Sequence, residues 1–179
     1  MRKFTLLIVF ALFIFNSKSL MGQNTRCKFT FVDSSSLLKN DLYKPIRVWI
    51  SKTFIDSKSV IQMDDKDLGK IICKGVIPVD GTKNFLGSPV GDDYVYFTLT
   101  VDIKDYKYRL VFDDIFHKAG HYSGSHSGGD LCNDKPKNGG ALEFSIKRWN
   151  KIQEKIASII NSYFQEIKDE IEKNSSDDF

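Results

Sequence analysis

From Cys27 to Asp33 the chain reads CKFTFVD, with apolar and polar side chains alternating as they do along a half-buried strand. The period changes after Ser34-Ser35-Ser36. Leu42, Tyr43, Ile46, Trp49, Ile50 and Phe54 recur at three- and four-residue spacing, the signature of an amphipathic helix. An N-cap at Asn40 or Asp41 would place Pro45 close to the first turn, where proline is tolerated. The period-two pattern then returns. SVIQMDD (59–65) is a short strand, Asp65 to Gly69 a turn, and KIICKGVIPV (70–79) a second strand with Cys73, Ile77 and Val79 on one face. A loop opens at Asp80-Gly81 and runs past Gly87, Pro89 and Gly91. DYVYFTLTVDI (93–103) sends Val95, Phe97, Leu99, Val101 and Ile103 one way, and Tyr94, Tyr96, Thr98, Thr100 and Asp102 the other. After a tight turn at Asp105-Tyr106, the strand 106–116 places Tyr108, Leu110 and Phe112 in the core and turns Arg109 and Asp113 away. A loop rich in glycine, serine and histidine covers 119–141. The last element is a long helix from about Ser145 to Lys173. Its stripe is Trp149, Ile152, Ile156, Ile159, Ile160, Tyr163, Phe164, Ile167 and Ile171, and 174–179 is a frayed tail.

The order β-α-β-β-β-β-α predicts an α+β fold. Four strands in meander succession form an antiparallel sheet, two helices cover one face, and the other face stays open.

The N-terminus is of a different kind. Arg2 and Lys3 precede an apolar run from Phe4 to Phe15, and small residues follow at Ser17, Ser19 and Gly22. This is the layout of a secretory signal peptide over residues 1–22, cleaved after Ser19 or Gly22. The run falls short of the roughly 20 apolar residues that a membrane-spanning helix needs. Asn24-Thr25-Arg26 ahead of Cys27 is not a lipoprotein box. The expectation is an exported protein, periplasmic or secreted, with one domain over 23–179 and no membrane span after cleavage.

Processing changes the charge. The chain has 26 basic and 23 acidic side chains. Residues 1–22 hold Arg2, Lys3 and Lys18 and no acid, so the remainder is balanced at 23 of each. Nucleic-acid binders owe much of their affinity to a basic excess, so a nucleic-acid partner is not expected. The cysteine count of 3 leaves the pairing of Cys27, Cys73 and Cys132 open, with Cys73 in a core position.

No phosphate-cradling loop, dinucleotide fingerprint, nucleophile elbow or zincin motif is present, so an enzyme is not the expectation and no cofactor is implied. Asp92-Asp93 and Asp113-Asp114 are neighbours that strict alternation would send to opposite faces. Asp65 to Gly69 reads as a hairpin turn, since a calcium loop would need further ligands. His117, His121 and His126, with Asp130 and Cys132, have the donor types of a zinc site, and a metal-dependent hydrolase is the alternative function. Their spacing fits no tight template. Gly120 and Gly124 favour a surface loop with exposed histidines, one able to fold over the open face.

That face is the leading candidate. Lys74, Tyr94, Tyr96, Thr98 and Arg109, with Thr100 and Asp113, offer amphipathic aromatics and a few charges, a competent recognition surface. The expected function is an exported, non-enzymatic binding domain of the bacterial envelope, with an envelope protein or small ligand as partner.

Two blocks carry a family resemblance. One is Phe54, Val60-Ile61-Gln62, Asp65, Gly69-Lys70-Ile71-Ile72 and Lys74-Gly75; the other is Phe97, Leu99, Val101, Lys104-Asp105 and Tyr108-Arg109. They resemble an exported domain common in Bacteroidota, domain of unknown function 4468, over roughly residues 27–118. The resemblance implies a TATA-binding-protein-like β-α-β4-α fold and no known activity, and the fold name does not import DNA binding. The chain departs from the family at Tyr106, where a turn glycine is usual, and in its loops at 80–92 and 119–141.

Overall fold

A computed structural model describes residues 28–54, 57–79, 93–120, 127–137 and 145–176. The elements are β1 (Phe29–Ser34), α1 (Lys39–Thr53), α2 (Ser57–Val60), β2 (Ile61–Asp65), β3 (Lys70–Val79), β4 (Asp93–Lys104), β5 (Lys107–Lys118), β6 (Gly129–Asp130) and α3 (Ile146–Ser176). The proposed leader at 1–22 lies outside the described residues. Among those residues no helix is long and apolar enough to cross a membrane.

The sheet order is β1-β5-β4-β3-β2, and β6 pairs with β5. Every pairing is antiparallel, so β2 to β5 form the expected meander and β1 returns to close its far edge. The inward side chains of these strands meet α1 and α3 in one core. Trp49 of α1 stands edge-on to Phe54 and Tyr163, and Phe31 of β1 stacks on Phe164 of α3 with 4.7 Å between ring centroids. Cys73 is wholly buried, and burial pushes its thiol up to about 12, so it is a core side chain. Cys27 lies outside the described residues, and Cys132 is exposed.

The start of α1 differs from the sequence expectation. The helix begins at Lys39 with Leu38 as N-cap, not at Asn40 or Asp41, and Pro45 sits inside it. The cause is tertiary. The Lys39 N–H donates to Asp105 Oδ1 at 2.9 Å, so the β4–β5 hairpin supplies the acceptor that a local serine or aspartate would give. Pro45 omits one helical hydrogen bond but is buried against the sheet.

Two turns set the ends of the strands. The predicted hairpin at Asp65–Gly69 is present. Asp65 Oδ1 accepts from the Leu68 N–H at 2.8 Å, and Gly69 adopts φ +63°. A Cβ at Gly69 would lie 2.3 Å from the Ile103 carbonyl oxygen, so glycine is required there twice over. Asp105-Tyr106 joins β4 to β5, with Tyr106 at φ +64° in the left-handed region that glycine adopts most readily.

Among the described strands the register shifts between Ile61 and Met63 of β2, and the alternation of buried side chains fails in β5. Tyr96 pairs with Phe116 and Thr98 with Asp113, so two residues of β5 face one residue of β4. This is a β-bulge, and Asp114 takes φ +50° within it. Before the bulge the buried residues are Tyr108, Leu110 and Phe112; after it they are Ile115 and His117. The one-residue shift turns Phe116 outward and His117 inward.

Candidate functional site

The bulge divides the chemistry of β4 and β5 into a buried cluster and an open surface. Among the described residues, His117 and Asp93 are the fully buried polar side chains. The Gly128 N–H donates to His117 Nδ1 at 3.0 Å, which leaves the ring proton on Nε2. Nε2 faces Asp93 Oδ2 at 3.4 Å. Arg148, in the first turn of α3, reaches the same oxygen at 2.7 Å, and the Gly120 N–H donates to Oδ1 at 3.3 Å. Burial by itself would raise the Asp93 carboxyl. The hydrogen bonds from His117, Arg148 and Gly120 outweigh it and hold the group below the ordinary carboxylate range.

Trp149 closes the cluster. Its ring stands edge-on to His117 with 6.2 Å between centroids, and its Nε1–H donates to the Asn133 carbonyl at 2.7 Å. A Cβ on Gly128 would come within 2.4 Å of the Trp149 ring, so that approach needs glycine. Gln153 donates to the Leu131 carbonyl at 2.8 Å, and the Leu131 N–H donates to Ile115 at 3.0 Å. Residues 127–137 are thereby pinned to β5 and the start of α3.

This corrects the reading of the histidine segment. His117 is a buried residue of β5 with both ring nitrogens engaged, rather than an exposed loop histidine or an available metal ligand. The described part of the loop packs toward α3 and reaches the open face only at its rim, through Asp130. His121 and His126 lie outside the described residues. Asp130 Oδ1 accepts from the Cys132 N–H at 2.9 Å. Among the described residues no group of three or more His, Cys, Asp or Glu side chains could hold a metal ion.

The open face is laid out in rungs across β3, β4 and β5. Lys70, Asp102 and Arg109 form one, Lys74, Thr98 and Asp113 another, and Val76, Tyr96 and Phe116 a third. Pro78, Tyr94 and Lys118 follow beyond them. All five candidate residues therefore share one face, but Lys74, Tyr96 and Thr98 line one hollow, Arg109 lines another, and Tyr94 lines neither. Tyr96 stacks on Phe116 with 5.2 Å between centroids and 11° between planes. With Lys74, Thr98, Asp114 and Asp130, this pair lines a hollow of about 450 Å³. Arg109 lines a separate hollow of about 430 Å³ near the β4–β5 turn, with Val32, Asp102, Lys104, Lys107 and Tyr108.

The two hollows differ in charge. Arg109 donates to Asp102 Oδ2 at 2.6 Å and Lys70 Nζ lies 3.2 Å from Oδ1. Burial would raise Asp102, but these cations hold it low. At the other hollow, Asp113 is raised, first by burial and then by the charge of Asp114, with Lys28 opposing. Strict alternation would have separated this acid pair. The bulge instead keeps both carboxylates beside Thr98, whose Oγ1 donates to Asp114 Oδ2 at 3.2 Å. Asp113 lies on the face where alternation puts it, whereas Phe116 and Asp114 join it there against strict alternation. Their signal was present in the spacing Phe112–Ile115, three residues where alternation demands two.

The comparisons agree on a family. The family model described as "Domain of unknown function (DUF4468) with TBP-like fold" matches residues 29–118. A crystal structure of a DUF4468 family protein from Bacteroides ovatus is similar, with TM-score 0.61, 14% identity, and coverage of 84% of this chain and 90% of that one. A TBP-like protein from Parabacteroides distasonis is similar with TM-score 0.53, 12% identity, and coverage of 83% and 97%. At such identities the likeness concerns the fold. No curated protein sequence matches. With half its length matched and its sheet and helices in the same arrangement, the chain belongs to the DUF4468 family of TBP-like α+β domains.

Proposed function

We propose that this protein is an exported, non-enzymatic recognition domain that binds its partner on the open sheet face, in the hollow around Tyr96 and Phe116. The carrying observation is the stacked Tyr96–Phe116 pair, with Phe116 42% exposed beside an acid pair whose repulsion Lys28 only partly offsets. Packing does not account for a large aromatic turned outward by a bulge, whereas a partner that covers the pair would gain from it. Lys74 and Thr98 supply hydrogen-bonding groups around the apolar centre, and Asp130 brings the histidine segment to the rim. The metal-dependent alternative loses support, because His117 is occupied inside the fold. Export rests on the leader-like residues 1–22.

A photo-crosslinking amino acid at position 96 or 116, placed in the producing cell, tests the site. The expected result is a discrete adduct that is missing when the same group is placed at Lys151 on the helix side. Equal labelling from both sides would sink the proposal. N-terminal sequencing of the envelope protein should begin at Leu20 or Gln23; an intact Met1 would overturn export.

A further inference from the structure

His117 is wholly buried, and its place in the fold suits only the neutral ring. Nδ1 accepts the Gly128 N–H at 3.0 Å, so it carries a lone pair, while Nε2 turns its proton toward Asp93. An imidazolium has a proton on both nitrogens. Its Nδ1–H would meet the Gly128 N–H donor to donor, and a buried backbone group would lose its acceptor.

Charge points the same way. Among the described residues, Asp93 of β4 and Arg148 of α3 are the charged groups that face the ring from the elements packed against it, and their 2.7 Å ion pair balances them. Asp93 by itself would favour an imidazolium, but Arg148 already holds the oxygen that faces Nε2 and lies nearer to it. A proton on His117 would therefore leave a positive charge uncompensated at a site with no exposed surface. The other charged groups nearby do not supply the balance. Lys118 of β5 and Asp134 and Lys137 of the 127–137 segment are exposed. Asp114 and Asp130 line the hollow on the open face, and Asp113 shares that face.

What Gly128 holds gives protonation a specific consequence. Gly129 pairs with His117 and Asp130 with Phe116, and the β6 they form is two residues long. The Gly128 carbonyl accepts the Lys137 N–H at 2.8 Å, which closes the segment on itself. A displaced Gly128 acts directly on this short strand, whose Asp130 stands at the rim of the Tyr96–Phe116 hollow.

We propose that His117 is a pH-sensitive latch: protonation of its ring releases β6 from β5 and withdraws Asp130 from the Tyr96–Phe116 hollow. The latch stands on the buried geometry; its effect on binding rests on the recognition role proposed for that hollow. An ordinary histidine takes up its proton at about pH 6.5. Closure and protonation compete below that value, so the segment is fully held above it and opens as the pH falls.

Amide hydrogen exchange of processed protein recovered from cells, corrected for the intrinsic effect of pH, is followed at about pH 7.5 and about pH 5. Exchange within 127–137 is expected to quicken about tenfold or more relative to β4. His117→Asn offers an acceptor oxygen near the place of Nδ1 and takes up no proton, so its 127–137 exchange should not respond to pH. Two further variants keep the test decisive should that one not fold. His121→Gln with His126→Gln, and separately Asp113→Asn, retain the latch and should respond like the unaltered chain. The proposal is overturned if 127–137 keeps its protection in acid, if β4 opens in step with it, or if either further variant abolishes the response. The photo-crosslinker at position 116 separates latch from recognition. Its adduct should fade in acid and persist in His117→Asn. An adduct unchanged by acid while 127–137 opens would overturn the link to the hollow. Absence of an adduct at either pH would count against the recognition role, and the exchange data would still decide the latch.

Discussion

Asp93 and Asp113 stand on neighbouring strands and are treated in opposite ways. Asp93 is wholly buried yet its carboxyl is held low; Asp113 is partly open to solvent yet its carboxyl is raised. Burial raises both. The outcome turns on what else each carboxylate meets: Arg148, His117 and a backbone N–H at Asp93, a second aspartate at Asp113. The buried site is complete within the fold, so its chemistry is structural. The open site carries repulsion that the fold leaves standing, as a surface that waits for a partner does.

The largest test of this contrast removes the buried carboxylate. Asp93→Ala strands Arg148 and His117 without their shared acceptor and should cost about 3 kcal/mol, read from urea unfolding. A loss under half of that would mean the cluster is not the tie described. The pH dependence has a definite sign. A carboxyl held low in the folded state stabilises fully above its unfolded value, near 3.8, and that support drains as pH falls through the lower folded value. Acid unfolding of Asp93→Ala should therefore lose this component.

Gly128→Ala comes next, at about 2 kcal/mol, because the new methyl meets a buried Trp149 ring that has nowhere to move. Hydrogen exchange should show faster opening of 127–137 than of β4.

On the open face the effects shrink. Phe116→Ala should cost about 1 kcal/mol or less, since the ring is largely exposed, while abolishing the crosslink at position 96. A loss as large as at Asp93 would make Phe116 a core residue and remove the contrast. The smallest effect has the reverse sign. Asp113→Asn removes repulsion from Asp114 and should stabilise by about 0.5 kcal/mol at neutral pH. A raised carboxyl costs stability at pH above its folded value, so this gain should vanish in acid, where Asp113 is already protonated. A variant less stable at pH 7 would show that the charge is compensated.

Much of this was legible along the chain. The strands at 70–79 and 93–103, the final helix and the single covered face follow from periodicity, because period two and period three-to-four leave different apolar rows. Lys74, Tyr94, Tyr96, Thr98 and Arg109 were placed on one face by the same counting, and they lie there. The separation of Arg109 from Lys74, Tyr96 and Thr98 into different hollows was not visible, since it depends on how the paired strands lie in space. His117 was misplaced because its sequence neighbours are glycines and serines, while its side chain's surroundings come from β4 and α3.

By itself, then, the sequence determined the order of the main strands and of the two long helices, the α+β class and the existence of an open face. Those features depend on the local alternation of apolar and polar groups and on turn chemistry. It did not determine the short α2, which takes Ser59 and Val60 from the strand read over 59–65, or β6. Tertiary structure decided where alternation breaks, because a bulge is an agreement between two strands. It capped α1 with Asp105, 66 residues away, which displaced the local caps. It also joined Asp93, His117 and Arg148, residues from three elements that share no sequence spacing. A side chain's charge and exposure depend on what approaches it through space, and no period along the chain records that.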